Sequence, residues 1–215
     1  MPRPVTKHAR SEEWKPVTVI EMKKVLGLIF VTGIVRKPKL ELYWSTRGIF
    51  QTPLFPQTMS RNRFQLIQRY LHFSDNNAAV TNEDPLCKIR TILDTVVYNF
   101  RTNYTPDREI SLGESMLGWR GRLRFLVYGC KCVIDYNTHM HGVDTADQYL
   151  AYYSFTRKTV KWPKKVFFYL LQRCLFNSYV IFSKNNPDSR KTFLDFMSDI
   201  TENLIHTSDA VSSPS

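Results

Sequence analysis

Asp144 and Asp147 stand three residues apart in the run His141-Gly142-Val143-Asp144-Thr145-Ala146-Asp147-Gln148, after a glycine and ahead of an apolar, aromatic segment. On a helix that starts here, positions three apart share one face. Both carboxylates then lie near the positive end of the helix dipole. A pair so placed can hold a hard divalent cation such as Mg²⁺. It can equally be a helix cap, with Asp144 on an exposed amide and Asp147 in the first turn.

The second chemistry is cationic. Arg157, Lys158, Lys161, Lys164 and Lys165 follow the aspartates closely. As phosphate contacts they would release counterions and give salt-sensitive, sequence-independent affinity. Arg120, Arg122 and Arg124 alternate along a strand-like pattern and so share one face. These eight are the candidate DNA-binding residues, and the bland alternative for them is a solvated surface. Arg61, Arg63 and Arg69 are expected on the wet face of a helix. Tyr149, Tyr152, Tyr153 and Phe155 could stack on bases, but core packing is the expectation, as it is for Trp119 and Trp162.

Whole-chain charge agrees with a polyanionic partner. The 215 residues carry a net charge of +11 with a pI near 9.6, which favours nucleic acid. Residues 118–191 hold 13 basic and 4 acidic side chains, a surplus of +9, whereas 192–215 hold 4 acidic and no basic ones. The acidic pair thus sits in the most basic part of the chain. Cys87, Cys130, Cys132 and Cys174 are too few and too unevenly placed for a disulfide framework. Cys130 and Cys132 with His139 and His141 make a four-ligand set on paper, but not at the usual zinc spacing. No signal peptide is read at Met1-Pro2-Arg3-Pro4. No membrane span is expected either, because Gln172 and Arg173 interrupt the apolar run Phe167 to Phe182. The expectation is a soluble intracellular protein.

The elements that must position these groups are mostly helical. Thr18-Val19-Ile20-Glu21 fits a capping box, with Thr and Glu each satisfying an orphan amide. The apolar run it opens extends to Val35 and is ended by Pro38. A second helix starts at Ser60 as cap, with Phe64, Ile67 and Leu71 on one face. A third spans about Lys88 to Asn103, its apolar face drawn by Ile89, Ile92, Leu93, Val96, Val97 and Phe100. Residues 109–134 read as short strands around Trp119-Arg120-Gly121-Arg122. Trp162-Pro163 opens a long helix whose stretch Val166 to Phe182 is apolar nearly all round and is expected buried. A short amphipathic helix (Phe193, Phe196, Met197, Ile200) and a Ser-rich, disordered tail follow.

With these motifs laid out, the chain resembles the piggyBac family of DNA transposases and the host proteins derived from them. One block runs from about Glu21 to Tyr128 and includes Met59-Ser60-Arg61-Asn62-Arg63-Phe64, Asn103-Tyr104-Thr105-Pro106 and Trp119-Arg120-Gly121-Arg122. The other runs from about Tyr136 to Lys184, with Gly142-Val143-Asp144-Thr145-Ala146-Asp147-Gln148, Arg157-Lys158-Thr159 and Trp162-Pro163. The resemblance implies a cut-and-paste transposase ancestry and an RNase H-like core with three catalytic Asp and two metal ions. It matches Asp144 to the third of those Asp and Asp147 to the acidic residue beside it. The first block looks like the family's helical dimerisation and DNA-binding region. The departure is equally informative. In the family the first two catalytic Asp lie between the blocks. Here about ten residues separate them, Gly129 to Thr138, with Asp135 the one Asp among them. Gly113 stands where the family usually has an Asp, and the family's Cys/His-rich zinc-binding domain is not found.

The fold expected is therefore mainly α with a small β component, the remnant of an RNase H-like transposase core plus an N-terminal helical region. Its parts are a flexible basic arm (1–16), a helical dimerisation and DNA-binding-like region with strands near its end (17–128) and a junction where most of the catalytic core is missing (129–138). The C-terminal part of the core (139–186) and a short helix with a disordered tail (187–215) complete it. The expected function is a catalytically inactive, transposase-derived, DNA-binding nuclear protein that forms a homodimer. It needs no cofactor, no membrane and no small-molecule substrate. The alternatives are a residual Mg²⁺-dependent nuclease or strand transferase working through Asp144 and Asp147, and a non-functional truncated copy or gene model.

Overall fold

A computed structural model describes residues 14–74, 86–105, 141–155 and 161–206, with side chains from residue 146 onward in the third of these stretches. The expected strands at 109–134, the junction at 129–138 and the C-x-C pair fall outside them. So do Arg120, Arg122, Arg124, Arg157 and Lys158. Among the described residues the structure is helical and contains no strand.

Helix α1 (Val19–Ile34) is the hub. Thr18 caps it, its Oγ1 accepting the Glu21 N–H at 3.1 Å. The Glu21 carboxylate stays close enough to the Thr18 backbone amide for that N–H to help hold its pKa down. Its main partner is Arg63, which gives it a bidentate pair at 2.6 and 2.7 Å. From Leu28 to Gly33 every residue is buried. A helix apolar on all sides needs neighbours on all sides, and α1 has them.

After α1 the chain makes two 3₁₀ turns (Leu40–Trp44 and Gly48–Phe50) and the short helix α2 (Leu54–Thr58). Fully buried Tyr43 pins the first turn by donating its hydroxyl to the Val35 carbonyl at 2.5 Å. The Trp44 indole N–H donates to the Met59 carbonyl at 2.7 Å. Helix α3 (Arg61–Tyr70) starts at Ser60, whose Oγ accepts the Arg63 N–H at 3.3 Å. It buries Phe64, Leu66 and Ile67. Helix α4 (Arg90–Asn103) has the expected amphipathic spacing, yet no residue within it is buried.

Helix α5 (His141–Tyr152) carries the two aspartates. It begins three residues before Asp144, so Asp144 occupies the first turn and Asp147 the second. The cap reading for Asp144 is therefore one turn too early. Helix α6 (Trp162–Asn185) takes Pro163 in its first turn, as expected, but buries only Gln172, Leu175 and Phe176. The expectation of a buried helix is overturned: its apolar girth exceeds what the described neighbours cover. Trp162, expected in the core, is 40% exposed. By length and composition α6 is also long and apolar enough to cross a membrane, which corrects the reading that no such segment exists. Gln172 donates to the Leu150 carbonyl and Arg173 pairs with Asp147, so the polar groups that interrupt its apolar run are engaged within the fold.

Helix α7 (Phe193–His206) makes the most extensive helix–helix contact, and it lies against α1. A reciprocal capping box starts it: the Asp195 N–H donates to Thr192 Oγ1 at 3.2 Å, and the Thr192 N–H donates to the Asp195 carboxylate at 3.0 Å. Those Thr192 bonds hold the Asp195 carboxyl below its ordinary range. Ile205 packs at Gly27 and Met197 at Gly33. The aromatic run of α5 enters the same core, with Tyr149 against Phe176 and Phe193 and Phe155 against Phe30. Tyr152 is the exception, 75% exposed.

Candidate nucleic-acid interface

The cations of the fold gather where helix ends meet. A helix C-terminus presents unsatisfied carbonyls and the negative end of its dipole, which attract Lys and Arg. Arg36, just beyond α1, donates to the Ala151 and Tyr152 carbonyls at the end of α5. Lys37 donates to the Leu42 carbonyl at 3.1 Å and to Phe50 O and Thr52 Oγ1. Lys164, in the first turn of α6, reaches across to the C-terminus of α3, donating to the Gln68 carbonyl and to the Arg69 carbonyl at 3.2 Å. In each case the partner is a neutral oxygen. The donors are satisfied while the charge stays uncancelled.

Burial sharpens this at two of them. Desolvation pushes the Lys37 ammonium below its usual pKa. The Lys164 ammonium is lowered first by burial and then by the neighbouring Lys161.

Two clefts meet at this point. One, of about 920 Å³, runs between α1, α3, α5 and α6 and is lined by Arg36, Lys37, Arg69 and Lys164 among its charged groups. The other, of about 420 Å³, lies between α3 and the start of α6 and carries Arg69, Lys88, Lys161 and Lys164. Arg69 and Lys164 line both, so the clefts adjoin. No acidic residue lines either one among the described residues.

Of the candidates read from sequence, Lys161 and Lys164 are brought to this place. Lys165 is exposed on α6 but lines neither cleft. Arg63, expected on a wet face, is instead an internal brace: it holds Glu21, donates to the Lys15 and Pro16 carbonyls, and stands over the Trp14 ring at 5.5 Å. Arg36, Lys37, Arg69 and Lys88 were not singled out for this role. Their sequence signal is slight: Arg36, Lys37 and Arg69 lie at or just beyond helix C-termini, and Lys88 precedes α4.

Of the acidic pair, the Asp144 side chain lies outside the described ones, and Asp147 meets a different environment. The Asp147 carboxylate pairs with Arg173, one helix away. Arg173 also stands over the Tyr169 ring at 5.2 Å. A two-metal centre needs several convergent carboxylates. No three His, Cys, Asp or Glu side chains come together among the described residues. With Asp147 turned to a guanidinium, the described donor set does not fit Mg²⁺.

Comparison with known proteins places this arrangement in a lineage. The family model described as Transposase IS4 matches residues 3–131 and again 129–179. PiggyBac transposable element-derived protein 2 of Homo sapiens is 32% identical over 105 residues, 49% of this chain and 18% of that protein. The chain belongs to the piggyBac family. PiggyBac transposable element-derived protein 3 of Homo sapiens is 30% identical over 115 residues, covering 54% of the chain, and protein 5 of that series is 28% identical over 104 residues. The matched segments span only 18% to 20% of these piggyBac-derived relatives. No solved structure matches the chain. The two family matches meet at residues 129–131, at the edge of the expected junction.

Proposed function

We propose that this piggyBac-derived chain is a nuclear DNA-binding protein that does not catalyse transposition. The observation that carries the reading is the pair of adjoining clefts lined by cations and by no described carboxylate. Cations held by neutral carbonyls keep their charge for an external anion, and phosphate oxygens are the anions that a transposase lineage supplies. The absence of catalysis is supported by Asp147, whose carboxylate is engaged by Arg173. It is supported too by the junction, where Asp135 is the one Asp between the two blocks. A second copy of the chain is the proposed cover for the apolar stripe of α4, where Val97 is 37% exposed.

The test is DNA binding and nicking by the full chain. Binding should weaken steeply with salt, because each neutralised phosphate releases counterions. Incubation with Mg²⁺ or Mn²⁺ should leave supercoiled plasmid intact. Absence of binding at low salt would sink the first half of the proposal. Metal-dependent nicking that disappears in Asp144→Ala would overturn the second.

A further inference from the structure

The cationic clefts combine charge with accessible aromatic surface. Trp162 opens α6 beside Lys161 and lines the smaller cleft, as does Tyr70 at the end of α3. They are 40% and 37% exposed. Tyr70 meets Trp14 edge-on at 5.0 Å. Trp162 makes no ring contact among the described residues, although Phe73 and Phe167 stack nearby at 4.4 Å. A large indole left on the wall of a basic cleft is the feature that distinguishes strand-binding grooves from simple phosphate patches: cations track the backbone while aromatic faces take the bases.

We propose that the two adjoining clefts form one groove for a single strand of nucleic acid, with Lys88, Arg69, Lys161 and Lys164 along its phosphates and Trp162 as the platform for a stacked base. This rests on the DNA-binding reading above and narrows it. The groove is fixed by the fold rather than assembled by the ligand, because Lys164 is tied to the end of α3. Its ammonium is disfavoured by burial and by Lys161, and the opposite charge of a phosphate in the groove would offset these. The first turn of α6 adds the positive end of a 24-residue helix on the same side. A paired duplex keeps its bases stacked on one another. Offering one to Trp162 would cost a few kcal/mol of unstacking, which an unpaired strand does not incur.

The experiment is fluorescence anisotropy of the full chain with labelled oligothymidylate of about 16 nucleotides and with a duplex of the same length. Oligothymidylate should bind more tightly than duplex. Trp162→Ala should weaken oligothymidylate binding about 5- to 150-fold, the range of one base–aromatic stack, with little effect on duplex. Trp162→Phe should restore most of the loss. Lys88→Ala with Lys161→Ala should lower the slope of log affinity against log salt by about 1.4, from roughly 0.7 per single-strand phosphate contact. Circular dichroism melts confirm that each variant is folded; the lysine pair and the Phe variant stand alone as the test should Trp162→Ala not fold. Duplex bound as tightly as the single strand, with Trp162→Ala and the lysine pair both without effect, would overturn the groove and leave DNA binding standing. No binding of either probe at low salt would remove the DNA-binding reading together with the groove.

Discussion

Glu21 and Arg63 show what one ion pair does in this fold. Each comes from the first turn of a helix, and the bidentate bond fixes the start of α3 against the start of α1. Their side chains are 26% and 19% exposed, so the pair is screened less than a surface pair. The Arg63 hydrogen bond holds the Glu21 carboxyl below its ordinary value of 4.5. The folded state then binds this proton less tightly than the unfolded one. Its stabilisation stands in full above that ordinary value and is lost as pH falls through the depressed one. Glu21→Gln should cost about 1 kcal/mol at neutral pH, as a well-formed, partly buried pair does. The difference from wild type should vanish in acid, which thermal melts across pH will read. Asp147→Asn is a parallel case with a functional edge. It leaves Arg173, 17% exposed, without this carboxylate, and should cost about 1 kcal/mol or less. DNA affinity should stay the same in that variant, measured by the same anisotropy titration. A large loss of affinity would mean that Asp147 does more than brace α6.

At the scale of elements, the contact between α1 and α7 is the most extensive among the described residues. Two glycines of α1 permit close approach. A Cβ on Gly33 would lie 2.5 Å from the Tyr153 carbonyl oxygen, and one on Gly27 would lie 2.7 Å from Ile205 Cγ1. The first obstacle is a backbone oxygen; the second is the inner methylene of a buried, β-branched side chain, with the Thr201 carbonyl oxygen 3.3 Å away as well. Gly33→Ala should therefore destabilise by about 1 to 3 kcal/mol, the usual range for overpacking. Gly27→Ala should also destabilise but cost less, since its nearest obstacle is a side chain and not backbone and Ala has better helix propensity than Gly. Urea denaturation of the two variants gives the order. The reverse order would show that the chain just after α5, where Tyr153 lies, is held more loosely than α7. Helix α6 is the opposite kind of element. It is long, apolar and incompletely covered, tied down by Lys164 at its start and by Gln172 and Arg173 at its middle.

For the whole molecule, the relevant quantity is where the +11 net charge is left uncancelled. Acidic residues are present, but several are spent internally: Glu21 on Arg63, Asp147 on Arg173, Asp199 on Lys191 and Asp195 on Thr192. Arg36, Lys37 and Lys164 lean on neutral oxygens instead, so their charge is left facing the clefts. This is why salt dependence is the sensitive readout of function here. The slope of log affinity against log salt counts phosphates, and its loss in cleft variants locates them.

Helix existence was legible because the signals are local. Thr18 and Ser60 as caps, Pro38 as a stop, Pro163 as a start and the apolar periods of α3 and α7 depend on residues within a turn of one another. Family membership was legible in the same way, from the contiguous Gly142–Gln148 and Arg157–Pro163 motifs. What pairs with what was not. Glu21 satisfies the capping-box pattern, yet the main partner of its carboxylate is a guanidinium 42 residues away, held by a charge-assisted bidentate pair. Arg36, Lys37, Arg69 and Lys88 share no spacing that would mark them as one site; they meet Lys164 only because three helix ends converge. The sequence by itself determined the helices, the charge surplus and the lineage. Only the tertiary structure decided which charges were cancelled and which were left facing a cleft, because cancellation is a property of distance in space and not of distance along the chain.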